Sequence, residues 1–187
     1  MGIMSNFRGF IAIDIPTFSK LLEFENKIRN TGADIKLVEP KNIHITLKFL
    51  GDMSEGQIDK IQDVIKESVK GIEPFEIKFS DTGVFPNQDY MKVIWIGIQN
   101  TDPIIKIANS INEKITMMGF KKDKRPFSAH LTIGRVKTAK NKEKIKQVLK
   151  KYQKMDFFSY NVESIKLKKS VLTPNGPIYS DVIVIEL

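Results

Sequence analysis

The apolar positions of this chain alternate between short runs typical of strands and longer stretches with helical spacing. Residues 8–13 form the first short apolar run, which predicts a buried strand. Pro16 and Thr17 then open a segment with helical periodicity that extends to about Asn30, and Gly32 follows as a helix stop. The chain is therefore predicted to begin with a strand followed by a helix.

A second strand and helix follow at once. Residues 43–50 are apolar and rich in β-branched side chains, and Gly51 and Asp52 end this predicted strand. Ser54 and Gln57 have the spacing of a capping box, and the helix that they begin is predicted to stop at Gly71. The apolar residues along one face of this helix are Ile58, Ile61, Ile65 and Val69. Alternation over residues 75–79 predicts a further strand.

The same order of elements recurs in the second half of the chain. Residues 93–98 predict a strand, Asp102 and Pro103 a helix start, and Gly119 the end of that helix. Residues 129–136 predict the next strand, and a lysine-rich helix follows over about 141–152. A closing strand pair is predicted around the turn at residues 174–177.

The two halves predict a duplicated fold. Equivalent strands lie 85 or 86 positions apart, and no linker rich in Gly, Pro or Ser separates the halves. We therefore predict one bilobal α+β domain over residues 1–187, with repeat halves at roughly 8–81 and 93–172 and a C-terminal hairpin to 187. Two mostly antiparallel half-sheets with outer helices are expected to face a central cleft with pseudo-twofold symmetry.

Both histidines of the chain lie in the same short frame. His44 precedes Thr46 by two positions and His130 precedes Thr132 by two, which nine threonines in 187 residues would produce by chance about once in 400 trials. Residues two apart on a strand share a face, so each imidazole is expected beside its threonine hydroxyl, while Ile45 and Leu131 point into the core. An isolated histidine is more often a hydrogen-bonded structural residue, but two in a duplicated frame favour paired acid and base chemistry.

Composition narrows the classes of protein to consider. The chain has no Cys, so disulfides, thiol nucleophiles and Cys-ligated metals are excluded. It has no apolar run of 18 residues and no signal-peptide core near its start, which predicts a cytoplasmic protein without a membrane partner. Of its net charge of +8, residues 120–170 contribute 16 basic and four acidic side chains. This excess favours a polyanion such as RNA, although the Lys-rich stretch at 141–154 is equally well explained as a solvated helix face.

Six segments in order resemble the RNA 2′,3′-cyclic phosphodiesterases, also called bacterial and archaeal 2′-5′ RNA ligases, of the 2H phosphoesterase superfamily. They are residues 8–16 (RGFIAIDIP), 42–51 (NIHITLKFLG), 83–86 (GVFP), 125–127 (RPF), 130–135 (HLTIGR) and 174–179 (PNGPIY). Because the set spans nearly the whole chain, it is far more specific than a single histidine frame.

The resemblance implies metal-independent hydrolysis of RNA 2′,3′-cyclic phosphate ends to 2′-phosphomonoesters, with reversible 2′-5′ ligation and no cofactor. In that reaction His44 is the proton donor to the leaving 3′ oxygen and His130 is the proton acceptor that activates water. Thr46 and Thr132 would hold non-bridging phosphate oxygens. The implied partners are RNA ends of this kind, tRNA fragments among them, and we expect a monomer.

The residues that would bind the rest of the substrate are less specific. Arg125 and Arg135 flank the second frame and have the planar forks that suit phosphate, with a surface ion pair as the alternative for each. Lys48 lies two positions beyond Thr46 and is expected on the same strand face, at the cleft or its rim. Three aromatic residues are candidates for base stacking, with burial in the core as the competing interpretation. They are Phe10, Phe127 and Tyr179.

Other functions compete with this interpretation. A non-catalytic RNA-binding module would explain the basic region but not the two histidine frames. A phosphodiesterase for small cyclic nucleotides would use the same chemistry on another substrate. A two-metal phosphatase is disfavoured because the histidines lack a neighbouring group of Asp residues, and no P-loop or lysine-nucleotide ligase motif suggests ATP-driven ligation.

Overall fold

The computed structural model describes residues 6–174 and 176–187 and arranges them as two antiparallel sheets with helices packed on them. In these residues the elements are β1 (Asn6–Asp14), α1 (Ser19–Arg29), β2 (Ile35–Leu37), β3 (His44–Ser54), α2 (Ile58–Val69), β4 (Phe75–Pro86), β5 (Met91–Gln99), α3 (Asp102–Met117), β6 (His130–Val136), α4 (Lys142–Tyr152), β7 (Asp156–Val162), β8 (Ser164–Thr173) and β9 (Gly176–Glu186). The predicted turn at 174–177 includes Asn175, which lies outside the described residues.

The strand orders of the two sheets correspond to each other. The first sheet has the order β3-β1-β8-β9, and the second has β2-β6-β5-β4-β7. With β2 set aside, each strand has a counterpart at the same position, so that β3 corresponds to β6 and β1 to β5. All the pairings are antiparallel. The predicted α+β class with two antiparallel sheets from a duplicated unit is confirmed.

Each sheet nevertheless contains elements from both halves of the sequence. The second sheet takes β4 from the first half, and the first sheet takes β8 from the second half. The helices are exchanged in the same way, since α3 contacts β3 whereas α1 contacts α4 and β7. The sequence repeat and the spatial lobes therefore differ. Hydrogen-bonded ladders join residues from both halves, which explains why no linker is needed between them.

Some element boundaries differ from the sequence predictions. The capping box is present, with Ser54 N donating to Gln57 Oε1 at 2.9 Å, but it begins a single 3₁₀ turn that leads into α2. Thr101, rather than Asp102, lies at the N-cap of α3. Two strands were not predicted. The strand β2 has only three residues, too few for a periodic signal, whereas β7 does alternate over Phe158, Tyr160 and Val162 and was overlooked.

The histidine strands have the facing that the two-residue period predicts. Ile45 in β3 and Leu131 in β6 are buried in the core, with exposed fractions of 1% and 0%. The four residues of the two frames are partly buried on the opposite faces of these strands. They are His44, Thr46, His130 and Thr132. The core thus fixes the two strands from behind while the frames face the space between the sheets.

Candidate active site

A cavity of about 870 Å³ lies between the two sheets. The strands β3 and β6 contact each other across it, and both histidines and both frame threonines line its wall. The fold therefore brings together two motifs that are 86 residues apart in the chain. A cavity with convergent polar groups is the usual form of a small-molecule or active site.

The two imidazoles are held in the same way. Nδ1 of His44 lies 2.7 Å from the carbonyl oxygen of Asn42, and Nδ1 of His130 lies 2.8 Å from that of Ser128. A carbonyl oxygen can only accept, so Nδ1 carries the hydrogen and donates it in both residues. This leaves each Nε2 as the nitrogen that can take up or release a proton. In both frames the orienting carbonyl belongs to the residue two positions before the histidine.

The threonine hydroxyls differ between the frames. Thr46 Oγ1 lies 3.0 Å from Nε2 of His44, so its hydroxyl donates to the neutral imidazole and accepts from the protonated one. No equivalent bond joins His130 to Thr132 among the residues that the structure describes. The Thr132 hydroxyl lines the cavity and is therefore available to a bound molecule.

Each histidine strand contains a β-bulge that changes the face on which the following side chains lie. In the ladder with β1, Ala12 is opposite Thr46 but Ile11 is opposite Lys48, so Leu47 forms a β-bulge. In the ladder with β5, Trp95 is opposite Thr132 but Ile94 is opposite Gly134, so Ile133 forms the equivalent bulge. Both bulges directly follow the threonine of the frame. The duplication therefore includes this backbone feature, which shifts the facing of the residues that follow it, up to a second irregularity at Leu50 in β3.

Lys48 is among the residues that line the cavity, as predicted, but the bulge changes the strand face that its side chain takes. Its ladder partner Ile11 is fully buried, so Lys48 emerges on the helix-covered face of the sheet instead of beside Thr46. Its side chain is 0% exposed, and its ammonium group binds Asn112 Oδ1 at 2.5 Å, Lys121 O at 2.9 Å and Asp123 Oδ2 at 3.0 Å. All three ammonium hydrogens have partners, which leaves none for a substrate.

In each histidine strand, the residue two positions after the bulge faces the cavity. Phe49 and Arg135 occupy equivalent places after the two bulges, are exposed, and line the cavity. Phe49 was not predicted, although 65% of it is exposed, which is unusual for a phenylalanine. A strict two-residue period hid this residue, and only the bulge reveals it. The first frame thus presents an aromatic ring where the second presents a guanidinium group.

The other predicted residues divide between the cavity and the core. Arg125, Phe127 and Tyr179 line the cavity. In the described part of the chain, neither Arg125 nor Arg135 has an ion-pair partner, so the surface ion pair considered as the alternative is not formed. Burial raises the pKa of Tyr179, and the positive charge of Arg135 opposes that effect across the cleft. Arg135 in β6 and Tyr179 in β9 thus line the cavity from different sheets.

The prediction of base stacking by Phe10 is wrong for this structure. Phe10 is 3% exposed and does not line the cavity. Its ring lies behind the site, with ring centroids 5.0 Å from His44 and 4.9 Å from Tyr179. Phe10 is opposite Phe49 in the ladder, and the two rings are in contact. Phe10 therefore packs beneath residues of the site and does not reach the cavity itself.

Each histidine also meets an aromatic ring edge to face. Tyr179 lies 5.4 Å from His44 at an interplanar angle of 87°, and Phe85 lies 5.0 Å from His130 at 86°. Phe85 lines the cavity and was not predicted as a site residue, although the segment 83–86 that carries it was part of the resemblance. Rings in this arrangement restrict the rotation of the imidazole.

Four charged side chains form a cluster near His44. Asp14 is opposite His44 in the ladder, so the two share a face of the first sheet. Lys168 lies 2.7 Å and Lys166 2.9 Å from Asp14, and both lysines also bind Asp181. This charge cluster was missed because Asp14 is 154 residues from Lys168 in the chain.

Burial is the main cause that lowers the pKa of His44. The hydrogen bond to the Asn42 carbonyl and the negative charge of Asp14 act to raise that pKa, whereas Lys168 acts to lower it. The two charges of the cluster nearest to His44 therefore act in opposite directions. A buried imidazole with a lowered pKa is a stronger acid once it is protonated.

The basic region at 120–170 is divided by the fold. Residues 123–128 line the cavity and bring Lys124 and Arg125 to it. The helix α4 packs on the outer side of the second sheet against β4, and no residue of it lines the cavity. Two of its lysines have partners there, since Lys142 donates to Asp89 O and Lys146 binds Glu143. The cavity therefore receives charge from the segment before β6 and not from the helix.

Two further features concern metals and membranes. Over residues 6–174 and 176–187, no three His, Asp or Glu side chains are grouped as ligands for a metal ion. The described helices include none that is long and apolar enough to cross a membrane.

Comparison with known sequences identifies the family. The sequence profile described as "2'-5' RNA ligase superfamily" matches residues 22–169. A Methanocaldococcus jannaschii protein named RNA 2′,3′-cyclic phosphodiesterase is 45% identical over 174 residues, covering 92% of this chain and 96% of the relative. An Archaeoglobus fulgidus protein of the same name is 43% identical over 96% of this chain and 99% of its own length.

Solved structures show the same fold. TT0787 of Thermus thermophilus matches with a TM-score of 0.81 and 23% identity over 96% of this chain and 97% of its own. E. coli LigT in its apo form matches with a TM-score of 0.71 and 21% identity over 97% of each chain. The chain belongs to the 2′-5′ RNA ligase superfamily, a group of 2H phosphoesterases. Within it, the relatives described above carry the name RNA 2′,3′-cyclic phosphodiesterase.

Proposed function

We propose that this protein hydrolyses the 2′,3′-cyclic phosphate end of RNA to a 2′-phosphomonoester by general acid and base catalysis. The observation that carries the proposal is the pair of histidines in one cavity, each with Nδ1 bound to a carbonyl and Nε2 left for proton transfer. The names of the relatives support the same substrate.

The reaction needs one proton removed and one proton supplied. Nε2 of His130 accepts a proton from water as the water oxygen attacks phosphorus. The bond from phosphorus to the 3′ oxygen breaks, and Nε2 of His44 donates its proton to that oxygen. The product has a 2′-phosphate and a 3′-hydroxyl. When a 5′-hydroxyl takes the place of water in the same step, its oxygen attacks phosphorus, the 3′ oxygen leaves with the proton from His44, and a 2′-5′ bond forms, which is the ligation that we propose as the second activity of the site.

The remaining cavity residues have roles in binding. The hydroxyls of Thr46 and Thr132 donate to non-bridging oxygens and hold phosphorus in line. Arg135 and Arg125 bind phosphate by charge-assisted hydrogen bonds. Phe49, which the bulge directs into the cavity, is the best placed ring for stacking on a base, with Phe127 and Tyr179 on the walls.

Product analysis tests this function. An RNA oligonucleotide ending in a 2′,3′-cyclic phosphate is incubated with the protein in excess EDTA, and the terminal phosphate is assigned by nuclear magnetic resonance. We expect 2′-phosphate as the product, with turnover unaffected by the chelator. A 3′-phosphate product, or loss of turnover that one divalent ion restores, would contradict the mechanism. Binding of the RNA without turnover would favour the RNA-binding module, and turnover restricted to mononucleotides would favour the small-nucleotide enzyme.

A further inference from the structure

The segment between α3 and β6 forms one wall of the cavity without regular secondary structure. Residues 120–129 belong to no helix or strand, yet residues 123–128 line the cavity. The segment carries Arg125 and Phe127, and its Ser128 carbonyl orients the His130 ring. Its position therefore affects both the proposed binding residues and one of the two histidines.

The polar contacts that hold this segment are few. Phe120 N donates to Ile115 O at 3.3 Å, and at the other end the Ser128 carbonyl accepts from His130. Between these ends, among the described residues, the hydrogen bonds and ion pairs of residues 121–127 to the rest of the chain all involve Lys48. Its ammonium group binds the Lys121 carbonyl and the Asp123 carboxylate. Phe127 adds an apolar contact with the core.

Lys48 is unusual because a lysine side chain is rarely buried completely. It is 0% exposed, and a buried ammonium group that loses its partner carries a large desolvation penalty. Asn112 of α3 supplies one partner, while the other two are in the segment. Displacement of the segment would leave the charge with one protein partner. The cost of that state favours the arrangement in which residues 121–123 stay against β3.

We propose that Lys48 is a positioning residue that holds the 121–128 segment in the geometry needed for substrate binding and for orienting His130. The bulge at Leu47 makes this possible, because it places the Lys48 ammonium group against Asn112 and the segment while His44 and Thr46 face the cavity. One strand thus bears one histidine and anchors the segment that orients the other. The kinetic part of this inference rests on the proposed function, whereas the contact itself is testable without substrate.

Two substitutions remove the contact from opposite sides. Lys48→Met keeps most of the volume but loses the charge, and Asp123→Asn removes the carboxylate from a side chain that is 48% exposed. Because Asp123 is near the surface, the Asp123→Asn protein is expected to fold even if the Lys48→Met protein does not. Lys114→Met is the matched control, since it removes another lysine pair, with Glu67 at 2.8 Å, that lies outside the cavity.

Limited trypsin digestion reports on the segment directly. Lys121, Lys122 and Lys124 are cleavage sites within it, whereas Arg125 is followed by Pro126 and resists cleavage. We expect cleavage at these lysines to be about tenfold faster in Lys48→Met and Asp123→Asn than in the native protein or in Lys114→Met, because the segment opens more often. Cleavage elsewhere in the chain is expected to be unchanged.

Kinetics on a cyclic-phosphate RNA separates positioning from simple stabilisation. We expect both variants to raise KM about tenfold or more, with a smaller fall in kcat, and Lys114→Met to leave both unchanged. Lys48→Arg is expected to recover part of the loss. If Lys48→Met does not fold, Asp123→Asn decides the question.

Native trypsin cleavage and native KM in the folded variants would overturn the proposal, even if the melting temperature fell. Faster cleavage with no turnover by the native protein would instead refute the proposed function and leave the anchoring contact supported.

Discussion

The two histidine frames repeat the same backbone but differ in what surrounds them. Both have the carbonyl contact at Nδ1, the edge-on ring and the bulge after the threonine. His44 also bonds to Thr46 and shares its sheet face with Asp14. Its orienting carbonyl is that of Asn42, a buried residue whose amide donates to Pro177 O at 3.2 Å. Regular structure and buried polar contacts therefore fix the first frame.

The second frame depends on an irregular segment. The carbonyl that orients His130 belongs to Ser128, an exposed residue outside any strand or helix. The two frames thus share the placement of histidine and threonine but differ in what holds the histidine ring. An acid with tuned surroundings on one wall and a base beside a basic, substrate-facing segment on the other is a division of roles that the proposed reaction can use.

The largest expected effect comes from removing either histidine. His44→Ala and His130→Ala should each lower kcat on a cyclic-phosphate RNA by on the order of 10² to 10⁴, the usual contribution of a positioned acid or base. A substrate with an activated 3′ leaving group needs no acid, so it should restore the His44→Ala rate and leave His130→Ala slow. Rescue of His130→Ala alone would exchange the two roles, and near-native rates in both folded variants would remove the catalytic interpretation.

Substitutions of Phe49 and Arg135, the two cavity-facing residues that follow the bulges, should weaken the binding of different substrates. Phe49→Ala should raise KM for RNA about tenfold because a stacked base contributes about 1 to 3 kcal/mol. Phe49→Tyr, which keeps the ring, serves as its control. Arg135→Ala should raise KM for any substrate with a cyclic phosphate, including one with an abasic end, where Phe49→Ala should have no effect. Equal losses on the abasic substrate would show that Phe49 contributes no stacking.

Substitutions in the charge cluster near His44 should lower or raise the pKa of His44, depending on which charge is removed. Asp14 raises the pKa of His44, so Asp14→Asn should lower that pKa, and the proton donor should be lost at a lower pH. Lys168 lowers the pKa of His44, so Lys168→Met should raise it and extend the protonated form to higher pH. Each variant should change the rate at the optimum by only a few-fold.

Nuclear magnetic resonance titration of the His44 ring measures these shifts, since a pH-rate profile reports the pair of histidines together. The His130→Ala protein provides the assignment of the His44 signal. Movement of the His44 titration in the same direction in both variants would contradict the electrostatic account.

The smallest effect is expected from the lysines of α4. Because the helix lies outside the cavity, Lys142→Gln and Lys144→Gln together should leave the salt dependence of RNA affinity nearly unchanged. Lys122→Gln and Lys124→Gln in the segment before β6 should reduce the slope of log Kd against log salt by about one or more. A flattened slope in the α4 variant would mean that RNA extends over the outer side of the second sheet.

The sequence predicted the histidine strands and the facing of their first residues, but it did not predict the facing of the residues after the bulges. The apolar background around each histidine predicted the strand, the facing of Ile45 and Leu131, and the shared face of each histidine with its threonine. The same period placed Lys48 on the strand face of Thr46 and overlooked Phe49. One extra residue in a strand reverses the facing of the residues that follow it, and nothing in the side chains of Leu47 or Ile133 signals a bulge.

The contacts among distant segments were outside the reach of periodicity. The cluster of Asp14, Lys166, Lys168 and Asp181 joins three strands, and the bonds of Lys48 join β3 to a segment more than 70 residues away. Each of these residues has an ordinary charged side chain in an ordinary place in the sequence. Only the packing of the sheets shows which charges are paired, and therefore which are free for a substrate.

What the sequence by itself determined was the order of the elements, their duplication and the two histidine frames, because local spacing of apolar and polar residues dictates strands, helices and their buried faces. The tertiary structure alone decided how the halves exchange α1, β4, α3 and β8, and which side chains reach the cavity. Those outcomes depend on ladder register and on burial of charge, which are set by contacts between residues far apart in the chain.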